Sequence, residues 1–206
     1  MSEAGFVAKT LALARKDLHS EVRGRDTLPP MLAFAATVAL VLAFALPEPS
    51  SPSGELAATL AYVRAGFLWI TILFSGLIGF ARTFEVERAQ GALDALLLAP
   101  LDRSGLFLSK ALANLGYLAL VELVLIPLFA LFFALDLGRN WLTLVLVVGL
   151  VDLGFAAIGT LFASIAAQTR SRELILPLLA LPVLVPVFIA AVELTAGLFL
   201  GSGFEE

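Results

Sequence analysis

Apolar residues run through this chain in long blocks with few charges, and most polar residues gather in the gaps between them. The blocks predict membrane-spanning helices at 28–46, 63–81, 107–137, 141–167 and 174–200, since about 20 apolar residues at ~1.5 Å rise cross a ~30 Å hydrocarbon layer. Such runs are far too long for tilted barrel strands, so the expected fold is an all-α polytopic membrane protein. The third block exceeds the hydrocarbon thickness, which places its first turns, with Lys110 and Asn114, in the interface. Pro127 is expected to kink it. Ser75 and Gly79 in the second span, and Gly159, Ala163 and Ala167 in the fourth, recur at four-residue spacing and predict close helix contact. Pro177, Pro182 and Pro186 in the fifth free backbone carbonyls that neighbouring groups must satisfy.

Ahead of the first span, Val7, Leu11, Ala14, Leu18 and Val22 recur at helical spacing among Lys9, Arg15, Lys16, Asp17 and Glu21. Residues 5–25 therefore read as an amphipathic interfacial helix with its basic residues toward anionic headgroups of the bilayer. A solvated tail helix is the plainer alternative. Thr27 followed by Pro29 and Pro30 resembles a helix start. Ala43-Phe44-Ala45 resembles a signal-peptidase site, but the charged stretch before the span is too long for a usual signal peptide, and the span is expected to be retained. A polar Pro/Ser loop and a short amphipathic piece, Leu56 to Tyr62, lead to the second span.

Composition supports this pattern: 60% of the 206 residues are hydrophobic, 15% are charged, and the mean hydropathy is +1.00. Soluble domains have about a quarter charged residues. The placement of the basic residues is more informative than the net charge. With the N-terminus inside, 11 of the 13 Lys and Arg fall on inner segments, and only Arg64 and Arg139 fall outside. The positive-inside rule then expects a cytoplasmic N-terminus and a cytoplasmic 84–100 insert. Absence of Cys excludes disulfides and thiol chemistry. No Walker motif, phosphate-cradling loop or metal-ligand cluster is present, and no nucleic-acid partner is expected. The single histidine, His19, reads as a solvated or interfacial side chain rather than an axial haem ligand.

Two carboxylates stand inside spans, Glu122 in the third and Asp152 in the fourth, where a lone charge costs several kcal/mol. They could line a polar path for substrate or protons. The reading preferred here is that each is protonated or hydrogen-bonded to a neighbouring helix and keeps the spans in register. Glu193, nearer the outer end of the fifth span, is expected to reach the interface.

The remaining feature is a charged insert at 84–100, FEVERAQGALDALLLAP, followed by LDRSGLFLSK. If it is helical from Glu85, then Ala89, Ala92, Leu93, Leu96 and Leu97 share a stripe, with Glu87, Gln90 and Asp94 opposite. This pattern fits a helix seated in a partner's groove and fits equally a helix resting on the bilayer.

FLWITILFSGLIGFARTFEVERAQGALDALLLAPLDRSGLFLSKALANL resembles the CcmB family of cytochrome c maturation, within the ABC type-2 permeases. The similarity extends back through ARKDLHSEVRGRDTLPPMLAF and forward through LGFAAIGTLFASIAAQTRSRELILPLLALPVLVPVFIAAVE. The element E-R-x-x-G-x-L-x-x-L-L-L-x-P is shared widely among such permeases. The N-terminal K-D-L-x-x-E-x-R and the turn R-x-R-E-x-x-L-P-L-x-x-L-P are more specific to the family.

The resemblance implies a non-catalytic permease domain spanning residues 1–206, with 84–100 as the coupling helix that docks on an ABC ATPase subunit. It assigns Glu87, Arg88, Gly91, Leu93, Leu96, Leu97, Pro100 and Arg103 to that contact. It also implies a haem-handling membrane subunit, a small membrane subunit and a periplasmic haem chaperone as partners, and a second copy of the chain is a further candidate. ATP would be bound by the ATPase, and haem would be cargo rather than a resident cofactor. The family usually has six spans. Five are read here, so the chain as it stands is expected to end outside, with a sixth either cut off or lost. Competing readings are a type-2 permease for another cargo, such as a lipid-linked glycan or drug, and a proton-coupled carrier using Glu122 and Asp152.

Overall fold

The computed structural model describes residues 3–24, 26–46, 54–84, 103–133, 135, 140–167, 169 and 172–201. Among these the secondary structure is helical: α1 (Glu3–Gly24), α2 (Leu28–Ala45), α3 (Glu55–Thr83), α4 (Arg103–Phe132), α5 (Trp141–Ala166) and α6 (Arg172–Phe199). Five segments are long and apolar enough to cross a membrane: α2 to α5 in full and residues Leu174–Phe199 of α6. The chain is a polytopic helical membrane protein. Its insert, 84–100, lies outside the described residues apart from Phe84.

Two boundaries differ from the expectation. The short piece at Leu56 to Tyr62 is no separate element, because α3 runs unbroken from Glu55 after Gly54 turns the chain at φ +59°. The third span begins at Arg103 and ends at Phe132, earlier than hydropathy implies at both ends. The helices continue through Pro127 in α4 and through Pro177, Pro182 and Pro186 in α6.

Small residues set the packing. Ser75 Oγ donates to the Met31 carbonyl at 3.1 Å, and the Met31 side chain fills the space where Gly79 lacks a Cβ. Between α3 and α5 the fit is reciprocal: Phe155 fills the space beside Gly76, and Phe80 fills that beside Gly159. The two rings meet edge to face with centroids 4.8 Å apart. Phe155 continues to Phe188 of α6 at 5.2 Å, and Phe188 to Trp69 of α3 at 5.7 Å. Edge-to-face contacts suit the ring quadrupole, so this aromatic string ties three spans together where lipid supplies no hydrophobic drive between helices.

Gly159→Ala would press a methyl into the Phe80 ring, which is buried and has Phe155 against it. The expected cost is about 2 kcal/mol, read as a lowered denaturation midpoint in detergent, and Phe80→Leu in the same chain should recover most of it.

Candidate functional site

The insert leaves α3 at Thr83 and rejoins the bundle at Arg103, with polar contacts at Thr83 on one side and at Lys110, further along α4, on the other. Thr83 Oγ1 donates to Asn114 Oδ1 of α4 at 2.6 Å, and Asn114 Nδ2 donates to Thr160 Oγ1 of α5 at 2.8 Å. Asn114 and Thr160 are fully buried, so one amide joins three spans at the point where the insert begins.

The returning strand of chain is held by α1. Phe6 and Thr10 close over Gly105, and Leu18 fills the space beside Gly116. Lys110 Nζ lies 2.7 Å from Asp17 Oδ2, and the Tyr117 hydroxyl donates to the Asp17 carbonyl at 3.3 Å. Glu21 Oε1 accepts from the backbone N–H groups of Thr27 and Leu28, both at 2.7 Å. No side chain of Thr27 caps α2, so the Glu21 carboxylate satisfies amides that its start would leave open. Arg82, next to Thr83, donates to the Asp26 carbonyl at 3.0 Å. The α1–α2 corner thereby grips both flanks of the insert, α3 through Arg82 and α4 through Lys110.

This arrangement adds to two expectations. The face that α1 buries mixes polar residues with Ala14 and Leu18 of its apolar stripe. Thr10, Asp17 and Glu21 are 3%, 8% and 6% exposed, whereas Val7 and Leu11 are 53% and 54% exposed. The polar groups turn inward because each meets a specific partner, or in the case of Thr10 a glycine gap, and Val7 and Leu11 are left for the surroundings. Lys110 and Asn114, in the first turns of the third span, are buried within the protein.

Deeper in the bundle, α4 and α5 meet again. Glu122 and Asp152, 4% and 2% exposed, bring two carboxyl groups close to each other. Glu122 lies eight residues beyond Asn114, and Asp152 eight before Thr160, so the two polar levels share one antiparallel seam about 12 Å apart at ~1.5 Å per residue. Two carboxyl groups can share a hydrogen bond only when a proton sits between them. Glu122 Oε1 and Asp152 Oδ1 are buried without a hydrogen-bond partner among the described residues.

A sequence model of the CcmB protein family matches residues 8–203. The chain belongs to that family. It is 32% identical over 184 residues to heme exporter protein B of Rhodobacter capsulatus, covering 89% of this chain and 80% of that protein. It is 26% identical to heme exporter protein B of Haemophilus influenzae, over 88% of this chain and 78% of that protein. The corresponding protein of Pseudomonas aeruginosa is 28% identical, over 87% and 77%.

Of the residues assigned to docking in this CcmB-family chain, Glu87, Arg88, Gly91, Leu93, Leu96, Leu97 and Pro100 lie outside the described residues. Arg103 is the exposed first residue of α4. Glu122 and Asp152, read separately from the sequence, come together. Asp17, Glu21, Thr83, Asn114, Lys110 and Thr160 were not identified as a set. The available signal was the family-specific K-D-L-x-x-E-x-R, whose Asp17 and Glu21 make the contacts above.

Proposed function

We propose that this chain is the membrane permease subunit of an ABC exporter of cytochrome c maturation, coupling ATP hydrolysis on a partner subunit to haem export or to release of a haem-loaded chaperone. The names of its relatives, heme exporter protein B, support the cargo. The observation that carries the coupling reading is the grip on both insert flanks. A displacement of 84–100 would reach α3 through Thr83 and Arg82, α4 through Arg103 and Lys110, and the α1–α2 corner through both.

In this reading 84–100 is the coupling helix and faces the cytoplasm. Leu93, Leu96 and Leu97 are its apolar anchors in the ATPase groove, Glu87, Arg88 and Arg103 orient it, and Gly91 lets the backbones approach. Pro100 stops the helix so that the chain can turn into α4. The protein is a single permease domain in the bacterial inner membrane with its N-terminus inside. Its partners are the ATPase, a haem-handling membrane subunit, a small membrane subunit and a periplasmic haem chaperone.

Complementation of a strain lacking this chain tests the proposal. The wild type should restore c-type cytochromes and co-purify with the ATPase. Leu96→Glu should reach the membrane in equal amount yet lose both properties, because a charge cannot occupy a desolvated anchor site. Normal c-type cytochromes in the deletion strain would sink the functional reading. Unchanged co-purification of Leu96→Glu would sink the docking reading.

A further inference from the structure

Far from the insert, α3 and α6 enclose a groove of about 400 Å³ between Tyr62, Gly66 and Trp69 on one side and Val185, Phe188 and Glu193 on the other. The groove exists partly because Gly66 has no side chain: a Cβ there would meet nothing within 4 Å. Its floor is apolar and fixed. Trp69 Nε1 donates to Thr195 Oγ1 at 2.9 Å, so the indole presents ring carbon to the groove, and Phe188 stands edge-on against it at 5.7 Å. Outside, Ile70 and Ile189 are exposed, which continues the apolar surface toward lipid.

Glu193 breaks this apolar lining. It is exposed and stands six residues before the end of α6, about 9 Å along the helix at ~1.5 Å per residue. That depth matches the boundary between headgroups and acyl chains. Among the described residues no Lys or Arg pairs with it. Arg64 on the neighbouring α3 lies over the Phe133 ring instead, 5.5 Å from its centroid. A carboxylate at membrane depth requires a compensating group. Here it rims a trough whose volume lies within the range of small-molecule sites and is too small for another helix.

We infer that this groove binds an amine-bearing phospholipid of the phosphatidylethanolamine type, with an acyl chain over Trp69 and Phe188 and the ammonium on Glu193. An anionic lipid, or a macrocycle carrying carboxylates, would bring like charge to Glu193. The inference does not depend on the export reading.

Trp69 provides the test, because Trp141 is the only other tryptophan. The full chain carrying Trp141→Phe is placed in phosphatidylcholine vesicles with equal fractions of phosphatidylethanolamine or phosphatidylglycerol brominated on the acyl chains. Brominated phosphatidylethanolamine should quench Trp69 more strongly, by roughly twofold for an ion pair of this exposure. Glu193→Gln, a surface change that leaves the fold intact, should abolish the preference. Gly66→Leu should lower quenching by both lipids by filling the groove. Equal quenching in the parent chain, or a preference that survives Glu193→Gln, would overturn the headgroup assignment. Quenching unaffected by Gly66→Leu would overturn the location. No quenching by either lipid would mean that a protein surface covers the groove, which also overturns the inference.

Discussion

Replacing Lys110 with methionine is expected to cost about 3 kcal/mol or more, the range for removing one partner of a buried ion pair. Lys110 is buried, and its ammonium sits 2.7 Å from Asp17 Oδ2. Without it, Asp17 keeps only the weaker contact with Lys16 at 3.7 Å, and that lysine is largely exposed. Asp17→Leu alone removes the carboxylate that lies 2.7 Å from the buried Lys110 ammonium. The double variant Asp17→Leu/Lys110→Met should be milder than either single change, because it removes both charges from a buried site and replaces them with apolar volume. Chemical denaturation in detergent measures the four-way cycle, and proteolysis within α1 reports whether that helix has detached from α4. Additive losses would show that the two residues act independently. If the grip on the insert matters for coupling, the double variant should fold well yet support less c-type cytochrome formation than the wild type.

The parts of this molecule that were legible in the sequence are those set by length and hydropathy. Five spans emerge from long apolar runs because the bilayer admits few other backbone solutions. Ser75, Gly79 and Gly159 were legible as close-contact positions because small residues at four-residue spacing have few other uses in a span. The polar part of the face that α1 buries was not legible, for a physical reason. An apolar stripe marks only burial driven by apolar contact, and α1 is held as well by an ion pair, a tyrosine hydroxyl and a carboxylate on two amides. Those partners lie 93 and 100 residues away on α4, or across the corner to α2, and no local periodicity encodes them. The hydrogen-bonded centre of the bundle is similar. Thr83, Asn114 and Thr160 are unremarkable singly and become a unit only when three helices converge.

Glu122→Leu is expected to destabilise the bundle by about 3 kcal/mol, because it leaves the Asp152 carboxyl buried against leucine without the carboxyl beside it. Glu122→Gln should behave differently. The amide can donate to Asp152 as a protonated glutamate does, so the seam between α4 and α5 should keep both polar levels, this pair and Asn114–Thr160. Asp152→Asn should be tolerated for the same reason. The comparison separates a clasp from a proton path, because glutamine preserves the hydrogen bond but cannot pass a proton on. Denaturation midpoints and c-type cytochrome yield, measured on the same three variants, decide between them. For a clasp, Gln and Asn remain near wild type in both while Leu falls in both. Loss of cytochrome yield in Glu122→Gln at unchanged stability would instead make the pair part of a proton route. The clasp is the expected result, because it explains why the pair lies on the same seam as Asn114 and Thr160.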